Sequence, residues 1–250
     1  MVRLLVDKIT PGRGFAHAFH VSFQALLPPV LLVLVYLGFN LLALVVLLLS
    51  KWRMFALHPR HWLAHIRTNA VDIIVGLSFL ALIIESSFLI LQLIWVILFE
   101  LWLLVLKPRS DTAAVAAQGV LAQGFGLGTV LLAIPEANRL LFVISFWLIT
   151  YFSARHFFNA FEEPRAHLLS AIWAFFAAAL AWVLSHWLLF VGPIAQPALI
   201  VAVLAIGFAT MYYLDSADRL GKVIRRQILL TLLAVLFVII VFSDWGDKTV

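Results

Sequence analysis

The 250-residue chain contains no cysteine. Disulfides, Cys-ligated zinc, iron–sulfur clusters and cysteine nucleophiles are thereby excluded. Charge is scarce as well: Asp, Glu, Lys and Arg make up 12% of the residues, against 65% hydrophobic. A soluble domain of this length needs far more polar surface to cover its core. No lysine lies inside a long apolar run, so a retinal Schiff base has nowhere to form. GxSxG, HExxH, a Walker A lysine and paired membrane histidine boxes are all missing, which removes the commonest sequence warrants for an enzyme. The first 14 residues are mixed in character and lead to His17 and His20, not to a compact apolar region with a small-residue cleavage site. A cleavable signal peptide is therefore not expected.

What is abundant is apolar sequence. Mean hydropathy is +1.11, and runs such as Leu31 to Leu49 carry no charge, long enough for a hydrocarbon core of ~30 Å. The fold class that follows is all-α: a polytopic integral membrane helix bundle of about eight (seven to eight) transmembrane helices with a short N-terminal interfacial helix. The net charge of +5 does not point to nucleic acid, because the basic residues gather in short loops between apolar spans. The expected partners are membrane lipids, together with further copies of the chain or subunits of a membrane complex. No cofactor is indicated.

Residues 1–26 form the N-terminal segment, with Phe15, Phe19 and Phe23 four apart on one helical face. Pro28-Pro29 marks a break, and the bundle occupies residues 27–243. Its spans fall at about 29–50, 67–84, 88–106, 113–134, 140–158, 167–190, 194–214 and 227–243, followed by a polar tail, 244–250. The apolar stretch Ala70 to Leu106 would be roughly 55 Å long as one helix, so it is divided at Glu85-Ser86-Ser87. Eight spans place twelve basic residues on one side and five on the other; the seven-span alternative gives eleven against six. The basic side is expected to be cytoplasmic, in a bacterial-type inner or plasma membrane.

Small residues allow helices to approach closely in lipid. Ala116, Gly119, Gln123 and Gly126 form one stripe, Ser170, Ala174, Ala177, Ala181 and Ser185 a second, and Ala198, Ala202, Ala205 and Ala209 a third. These spans are expected in the interior, with Ile228–Phe242 facing lipid. The alternation Gly124, Gly126, Gly128 reads either as ordinary close packing or as an unwound segment lining a cavity.

Candidate sites follow from polar groups in apolar surroundings. Glu100 lies inside the third span with Gln92 on the same general face, and an intramembrane carboxylate is a candidate proton relay or cation ligand. It can equally pair with Lys51, Arg53 or Lys107. If Glu100, Gln92 and Gln123 converge on a cavity, the chain is a transport, permease or channel component. The competing reading is a non-catalytic structural or assembly subunit of a larger membrane complex.

A third reading is a metal-dependent membrane enzyme. A helix running on from Pro59 would set His61, His65 and Asp72 within roughly 40° of one another, with His61 and His65 as candidate metal ligands. Asp72 is a further turn or two along, free to pair with Arg67 or another chain. Lys51, Trp52, Arg53, Arg60, Trp62 and Arg67 have the mixed basic and aromatic character of a membrane–water boundary. Arg155, His156 and His167, with Glu162 and Glu163 between them, form either a solvated network or an acid–base cluster.

Overall fold

In the computed structural model, residues 11–51, 62–133, 138–187 and 189–245 are described, with backbone alone for 11–21 and Leu63. They form α1 (Pro11–Tyr36), α2 (Asn40–Leu49), α3 (Trp62–Thr68), α4 (Ala70–Glu85) and α5 (Leu89–Leu101), which continues as a π-helical turn, Trp102–Leu106. Then come α6 (Thr112–Ala133), α7 (Arg139–Asn159), α8 (Ala166–Leu184), α9 (Gln196–Ser216) and α10 (Lys222–Val241). A two-stranded antiparallel hairpin, β1 (Phe190–Val191) and β2 (Ile194–Ala195), turns through Gly192 at φ +61° and joins α8 to α9. Among the described residues, six helical segments are long and apolar enough to cross a membrane: Leu89–Leu106, Thr112–Ala133, Arg139–Asn159, Ala166–Trp187, Gln196–Ser216 and Lys222–Val241.

Local sequence sets several boundaries. Asp111 caps α6 by accepting from the Ala114 N–H at 3.1 Å, and Asn138 caps α7 through the Leu141 N–H at 2.8 Å. The turn between α4 and α5 falls at Ser86-Ser87-Phe88, where the sequence predicts it. Gln92 holds that turn by donating to the carbonyls of Ile83 at 3.1 Å and Ser86 at 3.0 Å.

The first expected span differs. Pro28 and Pro29 sit inside α1, and the prolines do not end a separate interfacial helix. Proline keeps a helix-compatible φ, and the flanking Leu27 and Leu31 are buried in the core. The helix ends instead at Gly38, whose φ of +81° opens a Schellman cap. The Gly38 N–H reaches the Val35 carbonyl at 2.9 Å and the Phe39 N–H reaches the Leu34 carbonyl at 2.8 Å. The span expected at 29–50 is therefore two helices.

These two helices run antiparallel. Lys51, just beyond α2, pairs with Asp72 at the start of α4, while Leu47 packs on Gly76 one turn further along. So α2 begins near the far end of α4. Because α1 ends there too, yet touches the π-helical end of α5, it must run back along α2. The arms are short: Ser22–Tyr36 and Asn40–Leu49 are ~22 Å and ~15 Å long.

Two apolar clusters divide the interior. One gathers Leu27, Leu31, Ala43, Leu47, Val75, Phe79, Phe99 and Leu103 from α1, α2, α4 and α5. The other gathers Leu127, Phe142, Phe146, Ala177, Ala198 and Val201 from α6 to α9. Helix α6 belongs to both, through Ala122 and Leu127. Helix α10 stands apart, with only Leu232 and Ile239 buried.

Candidate functional site: an intramembrane cavity between α6 and α9

Two of the small-residue stripes, those of α6 and α9, border one cavity through Gly119, Gln123, Ala205 and Ala209. Ala116, Gly119, Gln123 and Gly126 on α6 are all buried, as are Ser170, Ala174, Ala177 and Ala181 on α8. Close approach is enforced at Gly119, where a methyl group would come within 2.8 Å of the Ser153 carbonyl oxygen. Beside that contact the helices leave a partly open cavity of about 160 Å³, lined by Gly119 and Gln123 from α6, Ser153 and Phe157 from α7, Trp173 from α8, and Ala205, Phe208 and Tyr212 from α9. Gln123 lies midway along the 22 residues of α6, the depth at which solute sites of membrane carriers are built.

The polar chemistry of the cavity is incomplete. Trp173 Nε1 donates to Gln123 Oε1 at 3.2 Å, which leaves Gln123 Nε2 as the unengaged end of the amide. That nitrogen, the Ser153 hydroxyl and the Thr150 hydroxyl one turn away are buried with no hydrogen-bond partner. Gln123 is 3% exposed and Ser153 0%. An orphaned buried donor costs about 1–3 kcal/mol, so each of these groups weakens the folded protein as it stands.

Packed side chains lie beyond the cavity in both directions along the helices, while its side at Phe208 is open. Toward the end that carries Arg139, the cluster of Leu127, Phe142, Phe146, Ala177 and Val201 is packed tight. Toward the opposite, basic end stands Tyr212, with Phe157, Phe158 and Phe161 edge-on at ring-centroid distances of 5.7, 5.2 and 5.1 Å. Tyr212 also lines a second, wider cleft of about 480 Å³ with Thr112, Glu162 and Ser216. Its ring thus separates the internal cavity from that polar vestibule. Its hydroxyl donates to Glu163 Oε2 at 2.7 Å in the α7–α8 loop. This hydrogen bond, with a second from the Arg165 N–H, holds the Glu163 carboxyl below its usual value.

A separate charged node lies at the basic end of the first half. Asp72 Oδ2 accepts from Lys107 Nζ at 2.8 Å and also pairs with Lys51, and Trp102 Nε1 approaches Oδ1 at 3.4 Å. The pairing fastens the α1–α2 arms to both α4 and α5.

The sequence-derived candidates disperse over these places. Gln123 lines the cavity, but Gln92 secures the α4–α5 turn and neither it nor Glu100 borders that space. Glu100 is half-buried on α5, and among the described residues it has no hydrogen-bond or ion-pair partner; the lysines weighed as its partners include Lys51 and Lys107, which go to Asp72. His61, Trp52, Arg53 and Arg60 lie outside the described residues. His65 is half-buried on α3, and no group of three or more His, Asp or Glu able to hold a metal occurs among the described residues. Trp62 and Arg67 are exposed, whereas Lys51 sits in its ion pair.

Of the residues weighed as an acid–base cluster, His156 meets Gln118 Oε1 at 3.0 Å, while Arg155 donates to the Tyr151 hydroxyl at 2.8 Å and His167 stands edge-on to the same ring at 6.0 Å. Ser153, Trp173 and Tyr212 carry no sequence signal of their own. Only the small residues of α6 and α9, Gly119, Ala205 and Ala209, point to the space they share. No protein-family model, curated protein or solved structure matches the chain.

Proposed function

We propose that this integral membrane protein is a transport-type component that admits a small, mostly apolar solute bearing a hydrogen-bond acceptor. The observation that carries the reading is the pair of unpartnered buried groups, Gln123 Nε2 and Ser153 Oγ, on two residues that border a cavity at mid-helix depth. In this reading Tyr212 is the barrier on the vestibule side, released from Glu163 and turned aside when solute passes. The packed cluster on the far side is the second barrier. Two barriers that open one at a time are what alternating access requires.

The membrane arrangement that goes with it has seven crossings, α4 and the six long helices, preceded by the α1–α2 hairpin as a re-entrant pair. Because both arms of the hairpin start and finish at the same end, the basic residues divide as fifteen against two, the two being Arg139 and Lys248. That is a sharper asymmetry than one continuous first span gives. It sets the basic loops and the N-terminus on the cytoplasmic side of a bacterial-type inner or plasma membrane.

The test is osmotic swelling of vesicles reconstituted with the purified protein, using a panel of small uncharged amides, alcohols and polyols. Swelling faster than in protein-free vesicles for at least one solute, abolished by Gln123→Leu, supports the reading. Rates equal to protein-free vesicles across the panel, or unchanged by Gln123→Leu, overturn it. The second reading, an assembly subunit of a membrane complex, is favoured by the largely uncovered α10 and predicts a stable partner protein after extraction.

A further inference from the structure

The seam between α8 and α9 changes character along its length. Toward the Arg139 end it is made of small residues, and Ala177 and Ala181 pack with Ala198 and Val201 in one buried cluster. Nearer the basic end the same two helices meet through rings. Trp173 stands edge-on to Phe208 at a centroid distance of 5.6 Å and stacks on Phe176 at 5.5 Å. Alanine faces let backbones approach, whereas a pair of rings takes up the space between them. The cavity around Gln123 lies directly behind this pair, since Trp173 and Phe208 both line it. Of the described residues that line the cavity, Phe208 alone is exposed, at 44%.

The opening falls within the apolar length of both helices. Trp173 is seven residues into α8 and Phe208 eight residues before the end of α9, so the two antiparallel helices bring the rings to one level, ~10–12 Å inside the basic end. Phe175 and Phe176 beside them are exposed as well, and this surface faces lipid. Size and polarity then define what can enter. A cavity of about 160 Å³ takes a group of roughly benzene size, well below a whole drug-sized ligand. None of the described residues lining it is charged, and a buried ion without a partner is costly. The wall does carry unpartnered donors. An indole N–H can only donate, so Trp173 fixes the Gln123 amide with its oxygen toward Nε1 and its nitrogen unengaged. The Ser153 hydroxyl is unpartnered too.

We propose that the cavity is the head site of a membrane-dissolved, single-chain amphiphile that enters sideways from the lipid. A compact uncharged head with an oxygen acceptor passes between Trp173 and Phe208, and its aliphatic chain stays outside in the bilayer. The cavity holds the head and no more, so a chain attached to it has to leave through the open side. The bilayer itself concentrates such a molecule at the opening, and binding needs no movement of Tyr212. The inference rests on the reading that this cavity admits a solute, and it names the class of that solute and its side of entry.

Photolabelling of the full chain in phosphatidylcholine vesicles tests it, using dodecan-1-ol with a diazirine beside the hydroxyl end and mapping the labelled residues by peptide mass spectrometry. The expected result is label on the cavity-lining residues of α6, α7 and α9, competed by unlabelled dodecan-1-ol and not by dodecane at equal membrane content. Gln123→Leu is expected to weaken that labelling about five-fold, the worth of one ordinary hydrogen bond. Label confined to outward residues such as Ile172 and Phe175 overturns the proposal, as does competition by dodecane equal to that by dodecan-1-ol. So does displacement by glycerol from the water phase, or undiminished labelling of a folded Gln123→Leu protein. The competition is read on the unaltered chain and stands even if the variant fails to fold. Osmotic swelling of the same vesicles separates this inference from the transport reading. Swelling that depends on Gln123 without label in the cavity removes the inference and leaves transport, whereas label in the cavity without swelling keeps the site and removes transport.

Discussion

Lys107 Nζ donates to Asp72 Oδ2 at 2.8 Å across thirty-five positions of sequence, and Lys51 shares that oxygen from the other side. One carboxylate, at the start of α4, therefore anchors two ammonium groups, from the ends of α2 and α5. Removing the carboxylate leaves two like charges side by side with little solvent. Asp72→Asn is expected to destabilise the protein by about 3 kcal/mol, near the low end for breaking a buried pair, since Lys107 keeps part of its side chain exposed. Adding Lys51→Met to Asp72→Asn removes the stranded cation and is expected to recover much of the loss. Thermal unfolding in a fixed detergent measures both. A double variant no more stable than Asp72→Asn would show that the pairing does not set the stability.

Much of the second half of the fold is legible in the sequence because its information is local. The alternation of small residues on α6 and α8 marks faces that must be buried, and those faces are buried. The large aliphatics around α10 mark a helix left in lipid. The first half is less legible because its organisation rests on a single backbone conformation and on distant pairs. Gly38 is the signal for the break in the first span, a glycine at the position where a Schellman cap needs positive φ, but the Pro28-Pro29 pair competes for attention. The partner of Asp72 could not be read from helical spacing, because Lys51 and Lys107 come from other helices. The cavity shows the same division. Gln123 stands out as a polar residue on a small-residue face, while Ser153 and Trp173 acquire meaning only when α7 and α8 are packed on it.

The glycines of α6 provide a contrast within one helix. A methyl group at Gly119 would meet the Ser153 carbonyl oxygen at 2.8 Å, a backbone atom that cannot swing away. At Gly124 and Gly128 the same methyl would meet nothing within 4 Å. Gly119→Ala is therefore expected to cost about 1–3 kcal/mol through overpacking. Gly124→Ala and Gly128→Ala are expected to be neutral or stabilising by up to about 1 kcal/mol from helix propensity. Melting temperatures of the three variants decide the matter. Were Gly124 and Gly128 part of an unwound segment, their alanine variants would lose stability as well.

The absence of cysteine makes the membrane arrangement directly testable, because any introduced thiol is the sole reporter. With the α1–α2 hairpin re-entrant, Gly14→Cys, Asp111→Cys and Ser216→Cys share a side, and Ser87→Cys and Arg139→Cys share the other. A membrane-impermeant maleimide applied to intact cells is expected to label only the last two. Labelling at position 14 together with position 87 would mean that the chain crosses once between the N-terminus and Lys51.

Glu163 couples the vestibule to pH. Its carboxylate is favoured in the folded protein by the Tyr212 hydroxyl and the Arg165 N–H, so its folded value lies below the ordinary 4.5. A group depressed in this way adds stability that is complete above its unfolded value and is lost as pH falls through its folded one. Unfolding temperature should therefore be flat with respect to this residue down to about pH 5 and fall below that. Glu163→Gln should remove that decline, and Tyr212→Phe, which leaves the Arg165 N–H in place, should shrink it. If both variants keep the wild-type acid profile, the contact does not sense pH.

Thr150 and Ser153 separate the cost of an orphaned hydroxyl from its use. Both are fully buried and without a hydrogen-bond partner, so replacing either by an apolar residue of similar shape removes an unmet desolvation penalty of about 1 kcal/mol or more. Only Ser153 borders the cavity. Thr150→Val is thus expected to raise stability and leave vesicle permeation unchanged. Ser153→Ala is expected to raise stability to a similar degree and to slow permeation, because the hydroxyl that would meet the solute is gone. A polar group that weakens the empty protein and serves the occupied one is how binding sites typically trade stability for function. If Ser153→Ala permeates at the wild-type rate, its hydroxyl is a packing accident and the cavity's recognition rests on Gln123 alone.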